Sequence, residues 1–235
     1  MNKKVVFKID KNLDFKNHLI GTNIEGKYLE KISPEIKGYF ESLKNADNKG
    51  KLEIFNNKTS KFYNDEMIDF RDLLVKQTED MWNLVEERYF NKVEQIHKNK
   101  FPFEVIYGIL STTPMVYGYD FNSQNPWFAC SFESPLKAIH TAMHEIMHVF
   151  FNQYFKEKYK EKFELNEEQL FMVKESLTVL LNLEFQDIRT SVDVSKNGHE
   201  KLRENIKENW LKYKDIEKVL DEACIFVKNN NIKDE

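Results

Sequence analysis

Cysteine is scarce: the 235-residue chain has two, Cys130 and Cys224. Two thiols cannot build the disulfide framework of a small secreted domain, so both are read as buried thiols of a reducing compartment. Long apolar runs are missing too. No stretch approaches the roughly 20 apolar residues of a membrane span. The start, Met1-Asn2-Lys3-Lys4-Val5-Val6-Phe7-Lys8, turns charged before an apolar run could become a signal peptide. A cytoplasmic protein that engages no membrane is expected. Nor is there an excess of basic charge, since 35 Lys and Arg stand against 39 Asp and Glu, a formal net charge of −4. That balance argues against nucleic acid as a partner. The glycines are isolated and make no phosphate-cradling loop. Neither an internal repeat nor a low-complexity linker interrupts the chain. Hydrophobic residues, at 41% with 19 Phe, are sufficient for one large domain with a real core.

Along the chain, Lys4–Ile9 is a short β-branched and aromatic run that reads as a strand, and Lys51–Phe55 as a second strand pairing with it. Between them Gly21, Gly26, Pro34, Gly38 and Gly50 punctuate weak helical patterns. From Asp65 to about His97, Met67, Phe70, Leu74, Met81, Leu84, Val85, Val93 and Ile96 fall near helical spacing. That pattern predicts one long amphipathic helix or two nearly collinear ones. After Lys100 the texture changes. Phe101–Leu110, Met115–Phe121 and Trp127–Phe132 are aromatic and β-branched, separated by turn-forming stretches. They predict a small, mostly antiparallel sheet leading into a helix that begins at Ser134-Pro135 and ends near Lys156. Asn166 and Gln169 mark the capping box of a helix running to about Phe185. Residues 187–198 read as a loop, and Asn197 with Glu200 as the capping box of a helix burying Leu202, Ile206 and Trp210. Ile216, Val219, Leu220, Ala223 and Val227 share one face of a last helix. The fold class expected is α+β and mostly helical, with the small antiparallel sheet packed against the 134–156 helix and those that follow.

That helix carries Thr141-Ala142-Met143-His144-Glu145-Ile146-Met147-His148, a His-Glu-x-x-His motif. Residues four apart share a helix face, so His144 and His148 can present both imidazoles to one metal ion. Glu145 is rotated one position on, where its carboxylate can reach a water bound to that metal. From Ala138 to Phe155 Glu145 is the only formally charged side chain. A helix apolar on nearly all sides is buried, and two histidines and a carboxylate inside it need partners. A metal ion supplies one. Zinc is favoured, because it accepts imidazole nitrogen and carboxylate oxygen in an open tetrahedral site.

Catalytic zinc takes three protein ligands and leaves a fourth position open. Glu175 is the best third ligand, since its neighbours at three and four residues are Phe171, Met172, Thr178 and Val179, so it faces the interior. Lys174 or solvent could satisfy the same carboxylate instead. Glu167 and Glu168 fit better as first-turn acids, and Glu164 and Glu184 lie near helix ends. His140, one turn before His144, is too far along the axis to share an ion with His148 and reads as a packed histidine. Nothing in the sequence around His18 and His97 argues for a role.

His144-Glu145-x-x-His148 followed by a helix-borne Glu175 resembles the gluzincin group of zinc metallopeptidases, the thermolysin-like arrangement. The resemblance covers roughly residues 101–210 in the order of elements, and its specific signal is confined to the motif and Glu175. It implies that His144, His148 and Glu175 bind zinc and that Glu145 is the general base. It also implies a late histidine or tyrosine that stabilises the oxyanion. Here His199 is the candidate, placed where a helix dipole favours a neutral imidazole, with Tyr117 and Tyr119 as alternatives and a plain surface histidine as the competing reading. One position departs from the pattern. Many members carry an Asp four residues after the ligand glutamate to orient a zinc histidine, and this chain has Val179 there, leaving Thr178, Asn182 or Asp187 to substitute.

The function expected is that of a zinc-dependent hydrolase, a metallopeptidase acting on a peptide or protein. Zinc activates a water, and Glu145 takes its proton and passes it to the departing amine. Residues 101–235 form the catalytic half. Residues 1–100 form a mainly helical half with a docking or covering role, in the same compact unit. Two other classes fit the same residues: a dedicated protease-like protein acting on one partner, and a non-catalytic, metal-binding helical interaction module. The oligomeric state is left open.

Overall fold

The computed structural model describes residues 4–23, 33–113, 118–194 and 199–230. The chain is an α+β protein dominated by helices, with one four-stranded sheet among the described residues. Strands β1 (Lys4–Lys8), β2 (Val105–Ser111), β3 (Tyr119–Asp120) and β4 (Trp127–Ser131) lie in the order β1-β2-β4-β3. The antiparallel sheet expected from sequence is instead mixed. β1 runs parallel to β2 and β2 parallel to β4; only the short β3 pairs antiparallel with β4. Burial gives the reason: β4 is buried at every position and β2 nearly so. Strands covered on both faces read as continuous apolar runs, as parallel strands do, rather than as the alternation of a half-solvated antiparallel pair. Gly108 lets β2 pass under Phe7, since a Cβ there would come within 2.7 Å of that ring.

Lys51–Phe55, expected as a strand beside the first, lies inside a helix, Asn48–Tyr63. Asp47 caps it, its carboxylate accepting from Gly50 N at 2.8 Å, and Phe55, Thr59 and Phe62 form its buried face. The long helical pattern after Asp65 resolves into a single turn at Asp65–Met67 and helices at Ile68–Asn83 and Glu86–His97. Ser134-Pro135 starts a helix as expected. Pro135–Phe150 is α-helical, Phe151–Phe155 is a π-turn, and Lys156–Phe163 continues the α-helix. Both bonds of the Asn166–Gln169 capping box are made, opening a helix at Glu167–Leu177 that resumes as Val179–Glu184. Helices at Glu200–Tyr213 and Ile216–Asn230 complete the described chain. No helix among the described residues is long and apolar enough to cross a membrane.

The chain packs as two compact units, each discontinuous in sequence. One comprises Asn2–Asn83 and Val105–Ala142 and holds the sheet; the other comprises Leu84–Glu104 and Met143–Glu235 and is helical. The boundary near residue 100 read from composition falls inside the helical unit, because β1 is paired to β2 and binds the N-terminal strand to residues beyond it. In the helical unit the Glu200–Tyr213 and Ile216–Asn230 helices pack on each other and on Glu167–Leu177. Tyr89 donates to the Met143 carbonyl at 2.6 Å, and His97 stacks on Phe150 with ring centroids 4.6 Å apart. These contacts fix the Glu86–His97 helix against the segment that carries the motif.

Candidate metal centre

His144, Glu145, His148 and Glu175 all belong to the helical unit. His148, Glu145 and Glu175 are buried, and His144 keeps about a quarter of its side chain exposed (24%). The i, i+4 spacing brings the two imidazole rings to a centroid distance of 4.4 Å, nearly perpendicular to each other. Glu175 reaches them from the Glu167–Leu177 helix. Its Oε1 stands 3.2 Å from His148 Nε2 and its Oε2 3.7 Å from His144 Nε2. Ligands of a tetrahedral ion with bonds near 2.0–2.1 Å sit about 3.3 Å from one another, and each histidine stands close to that distance from one oxygen of the Glu175 carboxylate. Candidate ligand atoms of His144, Glu145 and His148 also lie within 4.8 Å of one another. Among the described residues neither buried ring nitrogen of His148 has a hydrogen bond of proper geometry, a costly state that a coordinated cation would relieve at one of the two. The donor set, two imidazole nitrogens and a carboxylate, suits a divalent transition metal.

Lys174 is the other cation near this carboxylate. It is buried, with Nζ 3.2 Å from Glu175 Oε1 and over the Phe171 ring at 5.0 Å.

The partner that orients His144 is Asp193, which sequence reasoning missed. His144 Nδ1 lies 3.0 Å from Asp193 Oδ2, so Nδ1–H donates to the carboxylate and Nε2 is directed toward Glu175. The three proposed substitutes for the absent Asp at Val179 divide. Thr178 and Asn182 act one step removed: Thr178 Oγ1 lies 2.8 Å from Asp193 Oδ1, and the Asn182 amide pairs with the Asp193 backbone N–H and C=O at 2.6 and 2.8 Å. Asp187 is elsewhere, in an ion pair with Lys92. Arg203 completes the clamp, donating from Nη1 to Thr178 Oγ1 and from Nη2 to the Asp193 carbonyl. Thr178 Oγ1 is also 2.7 Å from the Glu175 carbonyl, a local bond that competes with the helix ladder, and the helix breaks at this residue.

Burial disfavours charge on both histidines. At His144 the hydrogen bonds to Asp193 and Glu175, with the charges of Asp193 and Glu145, outweigh burial and raise the imidazole to about 10. At His148 burial prevails, reinforced by the Lys174 charge, and the imidazole falls to about 3. Burial also works against the Asp193 carboxylate, yet His144, Arg189 and Arg203 bring it down to about 2. Asp193 is therefore a fixed negative charge behind His144.

His199 is buried at the N-cap of the Glu200–Tyr213 helix, rather than exposed, with its ring edge-on to Phe171 at 6.4 Å. Phe171 is one turn before Glu175 on the same helix. Tyr119 lies on β3 of the sheet unit, stacked on Phe121; Tyr117 and Asn197 lie outside the described residues. His140 is half-buried. Among the other glutamates, Glu167 pairs with Lys156 and Lys160, Glu164 with Lys228, and Glu184 accepts from Trp210. Cys130 and Cys224 are buried and form no disulfide. No family model, no curated protein and no solved structure matches the chain.

Proposed function

We propose that the protein is a zinc-dependent metallopeptidase of the gluzincin type, with His144, His148 and Glu175 as zinc ligands. The observation that carries this reading is the convergence of both Nε2 atoms on the Glu175 carboxylate, at 3.7 and 3.2 Å. The Asp193 bond to His144 Nδ1 supports it, because ligating histidines donate their second nitrogen to such a group. Zinc, when bound, supplies a Lewis acid that polarises a carbonyl and acidifies water. Glu145 then acts as general base: it receives a proton from the attacking water and delivers it to the departing amine. His199 is the candidate to stabilise the oxyanion. The substrate is a peptide or protein. A cytoplasmic location belongs to the same reading, supported by two buried cysteines that form no disulfide.

Glu145→Gln removes the base and keeps the ligands. The variant is expected to retain zinc while losing peptide hydrolysis by at least about a hundredfold; a variant with wild-type turnover would remove Glu145 from this role.

Lys174 favours a second reading, the non-catalytic interaction module in the form whose motif holds no metal. Its ammonium lies against the same Glu175 oxygen that approaches His148 and can neutralise that carboxylate without a metal. Metal content distinguishes the two.

A further inference from the structure

Lys174 stands apart from the other lysines. Every other ion-paired lysine described keeps between 33% and 87% of its side chain exposed, and Lys174 keeps 6%. A lysine at that depth needs an anion, and its Nζ stands 3.2 Å from Glu175 Oε1. Adjacency in sequence does not force this contact. Neighbouring residues of a helix point about 100° apart and do not face each other, so the Lys174 side chain has to bend toward Glu175. It does so beside Phe171 on the same helix, whose ring centroid lies 5.0 Å from Nζ. Oε1 is therefore a shared atom, 3.2 Å from the ammonium and 3.2 Å from His148 Nε2. An ion held by His148 and Glu175 contends with Lys174 for one carboxylate. Both are cations, and they repel each other more strongly here than in water, because the surroundings are buried.

We infer that Lys174 is a built-in competitor for the metal, which lowers the affinity of the centre and makes its occupancy follow the supply of free divalent ion. The inference rests on the zinc ligand set of the peptidase reading and concerns the regulation of that site. The ammonium neutralises Glu175 until an ion displaces it, so the buried carboxylate has a cation in either state. The two roles of Glu175, ion-pair partner and ligand, are then alternatives at one site. Lys174 acts through Glu175 and touches no reacting atom; it is a positioning residue whose charge, more than its volume, matters.

The test compares the full wild-type chain with Lys174→Met and Lys174→Arg, each purified with zinc supplied. Methionine keeps the apolar stem and removes the charge; arginine keeps the charge. Zinc affinity is read by competition with a chelating dye, and thermal midpoints are taken with zinc and in EDTA. Lys174→Met is expected to bind zinc at least about tenfold more tightly than wild type, and Lys174→Arg to stay near wild type. In EDTA the methionine variant is expected to melt below wild type, because a buried carboxylate has lost its cation, and zinc is expected to restore it. Should that variant not fold, Lys174→Gln removes the charge while keeping a donor for Glu175 and serves the same comparison. Equal affinity in wild type and the uncharged variant overturns the inference and leaves the zinc centre standing. Arginine and methionine variants that tighten binding alike overturn it too, since volume would then be the cause. Tighter binding in the uncharged variant alone, by a protein that cleaves no β-casein when loaded with zinc, supports the competition and removes the peptidase. No zinc in any of the proteins overturns both.

Discussion

At the level of single side chains, Asp193 joins the candidate metal centre to the rest of the helical unit. It fixes which nitrogen of His144 carries the proton, and Thr178, Asn182 and Arg203 fix Asp193 in turn. Asp193→Asn keeps the shape and removes the charge. Such partners of metal ligands are worth 10- to 100-fold in affinity, so zinc is expected to bind roughly that much more weakly in competition with a chelating dye. Undiminished affinity would mean that the motif helix alone orients His144. The residues of the centre were unequally legible in the sequence. His144, Glu145 and His148 are fixed by helical spacing, and Glu175 by apolar neighbours on its own helix. Asp193 comes from a loop, where no period applies. The one trace it leaves is the alternation Val-Asp-Val, in which the acid is the inward residue. Arg203 looks like any solvated arginine of a surface helix until its buried acceptors are known.

Among elements, the Glu86–His97 helix shows how the motif segment is supported. His97 is fully buried, stacks on Phe150, and bonds through Nδ1 to the Val93 carbonyl, while its Nε2 has no hydrogen-bond partner among the described residues. Burial, partly offset by the Val93 carbonyl, lowers its imidazole to about 4. The unfolded chain, with an ordinary value near 6.5, takes up the proton first as pH falls. Stability from this group is therefore complete above about pH 6.5 and declines toward pH 4, by about 3 kcal/mol. His97→Phe keeps the stacking and cannot titrate. In urea denaturation at pH 7.5 and 4.5 the variant is expected to lose clearly less stability than wild type, and equal losses would exclude His97 as the cause. Element types were legible where the period was clear. The exception at Lys51–Phe55 is instructive: five residues of Lys-Leu-Glu-Ile-Phe alternate as a strand does, but the wider spacing of Phe55, Thr59 and Phe62 is helical and decides the outcome. Strand direction was not legible, because burial on both faces erases the alternation that separates the two kinds of pairing.

For the whole molecule, the sequence conceals that each compact unit is assembled from separate stretches. The helical pattern of residues 65–97 crosses from one unit to the other near Asn83, with no proline or glycine to mark the change. All proposed ligands, with Asp193 and Arg203, fall in the helical unit, so the centre can be tested without reference to the sheet. The most direct test is zinc content by elemental analysis of wild-type protein beside Glu175→Ala, both purified with zinc supplied. One equivalent in wild type, with much weaker retention in the variant, is the result expected if His144, His148 and Glu175 form the ligand set. No zinc in either protein would contradict the metal centre, leaving the Lys174–Glu175 ion pair as the stable state of these residues.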